Sequence, residues 1–423
     1  MPAPATPTAV LEATATAAPA GSATAAVPTP PPKPPPNARA FPPDQLAEAK
    51  AIFERVGQLR GTPPRGETGM FLVSRQEAID YYRRSYDEED IEAIRVRQDV
   101  YRLLGLISPD TDLLSSFLSL LGLGIAGFYE PPLDAFYLLD DLGGVTSSAS
   151  RTTVVHELTH ALQDQYYDLE ALDKQREDDW DAQMALSTAI EGDAVNTETL
   201  YFGSALRRRP ACFMMPARVG VLPYVVYREL NSWYDDGVCF IQAVLPRFEN
   251  QISRVFERLP ATTEQILHPD KYLAGEAAKP VQLTSLLSGL GEGWSEVKRS
   301  TLGEFTLQNL LYTGLDDRPA IQNAAAGWGG DGWALYGRDE ALLIQVVTSW
   351  DTPAEADEFW RAFVSSLQGR SRSEIRHDPQ TQSILGSVAG VGWRGQRSSD
   401  GVSFLVSTDT LAIDRAATAL GLP

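Results

Sequence analysis

The sequence predicts an α+β protein, with a mainly helical domain that carries a small sheet and a smaller α+β module after it. Three observations predict this. From about residue 43 to 312, apolar residues recur at three- and four-residue spacing in one segment after another, the period of an amphipathic helix. Within that stretch only "GFYEPPLDAFYLL", residues 127–139, reads as two strands, joined by a Pro-Asp turn. After about Asp317 the texture changes to a ββαββ order, with strands followed by one helix and a hairpin.

Each element has its own signal. Residues 1–40 are Ala, Pro and Thr with almost no large apolar side chain, and "PTPPPKPPP" favours an extended polyproline helix. Such a segment buries no core, so it is expected to be a disordered stalk or tether. Order is expected from near Pro43, where "DQLAEAKAIFERVGQL" has helical period. Ser74 and Glu77 in "SRQE" form a capping box that opens the next helix. Helices follow over about 88–104 and 110–121. "GLGIAG", residues 122–127, matches GxGxxG by letters. A dinucleotide site needs a strand before those glycines and a helix after them, and here the order is reversed.

Residues 150–166 are expected to be helical, and an acidic segment, "DLEALDKQREDDWD", to be a solvated loop or exposed helix. "AQMALSTAIEGDAVNTETLYFGSAL" reads as one long helix. Two more follow, with a turn near Asn250. "PATTEQILHPDKYL" is expected to be irregular, and "LGEFTLQNLLY" helical. In the C-terminal module "GDGWALYG" and "EALLIQVVTSW" read as strands. Pro353 opens the helix "PAEADEFWRAFVSSL", and "SSDG" turns a hairpin. The expected boundaries are a stalk at 1–40, a main domain at 41–316 and the module at 317–423.

Composition narrows the partners. The 423 residues carry a net charge of −20, which repels a phosphate backbone and an anionic membrane surface. No apolar run reaches the ~20 residues of a membrane span; Leu113 to Tyr129 is broken by serines and glycines. The start "MPAPATPTAV" has no basic region or apolar core of a signal peptide. Stalks of this kind nonetheless stand between an anchor and an external domain, so the expected location is extracytoplasmic, with tethering through the stalk. Cys212 and Cys239 can pair in an oxidising compartment or remain two buried thiols in a reducing one, and the sequence leaves both open.

The chemistry lies in "TTVVHELTHALQDQ", residues 152–165. On a helix His156 and His160 share a face one turn apart, so both imidazoles reach one ion. Glu157, beside the first, can hold a water at the ion without ligating it. This is the HExxH arrangement of zinc peptidases. Val155, Leu158 and Leu162 bury one face of the helix, and polar groups beside that face need partners. A catalytic zinc takes three protein ligands. No third histidine follows in "HxxGxxH" form, so the candidate is Glu191 in "AIEGDAV", flanked by Ala189, Ile190, Ala194 and Val195. Glu198, one heptad on, shares its face and is a candidate to orient a ligand.

"HELTH" followed by "EGDA" resembles the gluzincin clan of zinc peptidases, which includes thermolysin and the large zinc aminopeptidases. "YDDGVCFIQAV" is similar to the helix that follows in the aminopeptidases. More closely, "HELTHALQDQ", "EGDA", "EQILHPDKY" and "AAAGWGGD" together resemble a group of poorly characterised bacterial metallopeptidase-like proteins, over about residues 120–340. The resemblance implies a gluzincin fold, and little about substrate. Two departures stand out. The gap from His160 to Glu191 is longer than in those relatives. Val195 occupies the place where thermolysin-like enzymes carry an aspartate four residues after the ligand glutamate, leaving Asp193, Asn196 or Glu198 to substitute.

The expected reaction is zinc-dependent hydrolysis of a peptide or protein substrate, with Glu157 as the proton carrier. Candidates for oxyanion stabilisation are His268, with Asp270 near it in sequence, Tyr234 and Tyr272. "DAFYLL" is the candidate sheet edge for a peptide strand, and Trp328 or Asp331 in "GWGGDGW" a further substrate contact; His377 reads as a surface residue. Two rival readings are a non-catalytic binding or assembly module of the same fold and a zinc hydrolase of a non-peptide amide. No GxSxG is present, and neither cysteine has a histidine nearby in sequence.

Overall fold

The computed structural model describes residues 33–203, 210–218, 220, 222–371 and 374–423; most of the expected stalk, residues 1–32, lies outside them. The fold is α+β, built on one four-stranded and one seven-stranded sheet.

The stalk expectation is corrected at its C-terminal end. Strand β1 (Arg39–Ala40) pairs antiparallel with β2 (Gly69–Val73), and Arg39 meets Asp140 at 2.7 Å. Regular structure therefore starts before Pro43. Helix α1 (Pro43–Arg60) ends at Gly61, whose φ of 70° lies in the left-handed region open to glycine. Helix α2 (Arg75–Ser85) starts on the expected capping box, with Ser74 and Glu77 each accepting the other's backbone N–H. Helices α3 (Glu88–Leu104) and α4 (Leu113–Gly124) lead to β3 (Gly127–Glu130) and β4 (Ala135–Leu139). A helix thus precedes the GxGxxG letters and a strand follows, the opposite of a dinucleotide cradle.

The first sheet has the order β1-β2-β4-β3. Strand β4, from "DAFYLL", therefore lies inside the sheet and is buried along its whole length, so it is not the edge expected for a substrate strand. An uninterrupted apolar run is what a strand covered on both faces requires. Phe136 and Leu138 pack with Val154, Val155 and Leu158 of α5 (Arg151–Tyr167) on one face. Tyr137 and Leu139 pack with Ala78 and Tyr81 of α2 on the other. The edges of this sheet are β1 and β3, and β3 is the one next to α5.

Helix α6 (Leu169–Lys174) occupies the acidic segment, and α7 (Trp180–Phe202) is the long helix expected there. Helix α8 (Tyr224–Asn231) runs through a π-turn at Ser232–Asp236 into α9 (Gly237–Val244). Helices α7 and α9 touch through two glycines: a Cβ on Gly192 would sit 2.2 Å from the Gly237 carbonyl carbon. Of the two states left open for the cysteines, the structure has the disulfide Cys212–Cys239. Beyond α10 (Ile252–Phe256), the segment expected to be irregular forms two short helices, α11 (Thr263–Leu267) and α12 (Pro269–Ala274). Thr262 caps the first by accepting the Gln265 N–H, and Pro269 starts the second.

The C-terminal sheet is larger than the expected four strands. It begins with β5 (Ser295–Ser300), after the short α13 (Leu287–Leu290) and ahead of α14 (Gly303–Tyr312) and α15 (Arg318–Ala325). Strands β6 (Trp328–Arg338) and β7 (Ala341–Trp350) precede α16 (Pro353–Arg370). Strands β8 (Ile375–Asp378), β9 (Ser383–Val388), β10 (Val391–Arg397) and β11 (Gly401–Ser407) precede α17 (Thr410–Leu420). The order is β5-β6-β7-β11-β10-β9-β8. The largest apolar core runs across residue 317 without a break, joining Leu103 and Leu104 of α3 and Leu307 and Leu311 of α14 to Trp333, Trp360 and Phe363. Among the described residues no helix is long and apolar enough to cross a membrane.

Candidate metal centre

Helix α5 carries His156 and His160 one turn apart, with ring centroids 4.7 Å from each other. Its apolar residues Val155, Leu158 and Leu162 are fully buried, which fixes the rotation of the helix and aims both imidazoles at α7. There Glu191 lies between them, Oε2 3.0 Å from His156 Nε2 and Oε1 3.6 Å from His160 Nε2. One ligand atom from each of the three side chains falls within 4.8 Å of the others.

The outward ring nitrogens are also held. His156 Nδ1 lies 2.7 Å from Glu198 Oε1, and His160 Nδ1 lies 2.7 Å from Gln163 Oε1. Glu198 therefore does what the sequence left among three candidates. Seven residues are close to two full helical turns, so Glu198 returns to the face of Glu191. Val195 is core instead, 1% exposed. Asp193 pairs with Arg60, and both side chains are 1% exposed.

Glu157 leans away from the three and takes the Tyr129 N–H on Oε2 at 2.9 Å. The Tyr129 N–H is free to do so because of the strand register. The Leu139 N–H donates to the Ala126 carbonyl, so alternation in an antiparallel ladder turns the main-chain groups of Tyr129 away from β4. Burial raises the Glu157 pKa against the opposing pull of His156 and His160. Burial works against charge on His156, but hydrogen bonds to Glu191 and Glu198 outweigh it and lift its pKa well above the ordinary imidazole value. The His160 pKa is raised too: burial opposes the charge, and Glu191 outweighs it. Burial of Glu191 favours its neutral form, and the two histidines overcome this to hold it far below the usual carboxylate range. The set is therefore a carboxylate that draws positive charge between two imidazoles. A divalent ion supplies such charge in place of protons. Two imidazoles and a carboxylate, each imidazole fixed by an acceptor on its far side, form a donor set that zinc takes.

The oxyanion candidates separate. The Tyr234 ring lies 5.9 Å from the His156 ring, at the centre. Tyr272 is 1% exposed. Its hydroxyl donates to the Arg258 carbonyl at 2.6 Å, which makes it a core residue. His268 sits 3.0 Å from the buried Glu304. It lines a cavity of about 280 Å³ whose walls include none of His156, Glu157, His160 or Glu191. Asp270 is exposed and is not its partner. Trp328 is fully buried, and Asp331 accepts from the Leu302 and Gly303 N–H groups and the Trp328 indole, so both hold α14 and β6 together. His377, expected at the surface, is half-buried near Trp360.

A second carboxylate group, Glu264, Glu276 and Asp351, already contains a cation. Lys271 Nζ lies 2.6, 3.0 and 2.7 Å from the three, which ties α11 and α12 to the end of β7. The residues that sequence reasoning missed are Gln163, Arg60 and the Tyr129 N–H. Gln163 had a signal, since it stands three residues after His160 on the same helix face.

A family model described as a domain of unknown function (DUF8575) matches residues 290–418. That span covers the seven-stranded sheet and leaves out α5 and α7. No curated protein and no solved structure matches the chain.

Proposed function

We propose that this protein is a zinc-dependent peptidase of gluzincin type, with His156, His160 and Glu191 as ligands and Glu157 as the general base and acid. The observation that carries the reading is the convergence of both Nε2 atoms on Glu191 while both Nδ1 atoms are occupied elsewhere. A bound zinc ion supplies Lewis-acid chemistry there, polarising a carbonyl and acidifying a water.

The chain's own residues do the rest. Glu157 keeps Oε2 on the Tyr129 N–H, which leaves Oε1 to take a proton from the attacking water and pass it to the leaving amine nitrogen. The β3 edge beside Glu157 supports a substrate bound as an added strand, which favours a peptide or protein over other amides. Of the three oxyanion candidates, Tyr234 is the one whose ring lies beside a ligand histidine, and it is the one we assign to that role. The disulfide is in keeping with action outside the cytoplasm, from a tethered or secreted chain.

Elemental analysis paired with digestion of unfolded casein tests this. The expected result is one zinc per chain, and cleavage that a chelator stops and zinc restores. Stoichiometric zinc retained by a His156→Ala/His160→Ala double variant overturns the ligand assignment.

A further inference from the structure

We infer that Gln163, locked by Asp193 and Arg60, is a positioning residue that fixes which nitrogen of His160 faces the metal. The inference rests on the zinc reading and adds a layer to it that reaches into α1.

An amide can point either end at a neighbour, so its orientation must be argued from its partners. The Nε2 end of Gln163 faces two acceptors, the Ile190 carbonyl at 2.9 Å and Asp193 Oδ2 at 2.8 Å. Turned the other way, the Gln163 oxygen would face both, acceptor against acceptor. Asp193 Oδ2 also receives Arg60 Nη1, so that carboxylate oxygen already accepts from two donors. The amide oxygen therefore points at His160, 2.7 Å from Nδ1. Nδ1 must then carry a hydrogen, so in the neutral imidazole that a metal requires the lone pair stands on Nε2, the nitrogen that faces Glu191.

The lock is built from three helices. Gln163 comes from α5, Asp193 from α7, and Arg60 from the last turn of α1. Arg60 is itself steadied by Thr197 Oγ1 at 3.3 Å and Thr62 Oγ1 at 3.4 Å. A buried ion pair is a poor source of stability, because desolvation offsets most of the attraction. A pair placed one hydrogen bond behind an amide that touches a ligand has another use, which is to hold that amide in one orientation. The two ligands thus differ in what stands behind them: His156 has the carboxylate of Glu198 and His160 a neutral amide. An amide adds direction without adding a further negative charge to a site that already holds Glu157, Glu191 and Glu198.

The test is zinc affinity by competition with a chromogenic chelator, with the melting temperature of each metal-free protein and the visible spectrum of its cobalt(II) form. The proteins are wild type, Gln163→Ala, Gln163→Glu and Asp193→Asn, all full length. The expected result for Gln163→Ala is zinc affinity lower by about 10- to 100-fold, with an altered cobalt spectrum. Asp193→Asn is expected to weaken zinc by a smaller factor, since Gln163 keeps the Ile190 carbonyl. Gln163→Glu retains an acceptor for Nδ1 but sets a second acceptor against the Ile190 carbonyl and Asp193, so it is expected to recover only part of the affinity lost in Gln163→Ala. Zinc affinity within twofold of wild type for Gln163→Ala, with an unchanged cobalt spectrum, overturns the inference even where the melting temperature falls, because it leaves Gln163 a purely structural role. Should Gln163→Ala not fold, wild-type affinity and spectrum in both Gln163→Glu and Asp193→Asn overturn it, since both replace a member of the lock. Wild-type protein that binds no zinc in the same titration overturns the zinc reading itself, and the two failures are therefore distinct.

Discussion

At the residue scale, the proposed zinc site sets the acid that would ligate apart from the acid that stands behind a ligand. Glu191 meets both Nε2 atoms and Glu198 meets only Nδ1 of His156, so their replacements rank. Glu191→Gln keeps shape but offers a neutral oxygen, and zinc affinity is expected to fall by tens of fold or more. Glu198→Gln is expected to cost less, about tenfold. Zinc titration of the two variants checks the order, and the reverse order excludes Glu191 as the ligand. Much of this was legible in the sequence. His156, Glu157, His160, Glu191 and Glu198 all lie on two helices, where spacing alone dictates which side chains share a face. His268 shows where that logic stops. "LHPD" offers Asp270 as a neighbour, but the partner is Glu304, 36 residues away, and only packing brings them together. Arg60 was invisible for the same reason, since its partner Asp193 is 133 residues away.

At the element scale, the long helices and apolar strands were readable, and their neighbours were not. The apolar run of β4 marks a strand, but its interior place depends on β2 pairing parallel to it from 66 residues upstream. A sheet order of that kind has no local signature. The extra strands β5 and β8 were missed because they are short, largely polar edge strands, and β9 because Gly386 and two serines break up its apolar residues. One prediction belongs here. Asp331 joins α14 to β6, and burial lifts its carboxyl to about 6 from an ordinary 3.8, although the Leu302, Gly303 and Trp328 N–H groups pull the other way. The folded state then holds a proton between about pH 4 and 6 that the unfolded chain has released. Its contribution is complete below about pH 4 and is lost as pH rises through 6, on the order of 2–3 kcal/mol. Asp331→Asn cannot titrate, so the stability difference between pH 4 and pH 7 is expected to shrink in urea denaturation at the two pH values. An unchanged difference excludes Asp331 as its source.

At the scale of the whole molecule, a single apolar core spans the expected boundary at 317, and the part matched by the family of unknown function is packed onto helices that precede it. At the other end, β1 places residues 39 and 40 in the fold. A chain lacking residues 1–40 is therefore expected to melt about 1–3 °C below one lacking 1–32, a loss of roughly 1 kcal/mol; equal melting temperatures would make β1 dispensable. The central claim is that these helices and sheets serve to place Glu157 beside a zinc ion and a peptide bond. Its most direct test is the rate of casein cleavage by zinc-loaded wild type and zinc-loaded Glu157→Gln at equal metal content. Cleavage by the wild type is expected, with a rate about 10²- to 10⁴-fold lower in the variant. Equal rates in the two proteins, or no cleavage by either with zinc bound, would contradict it.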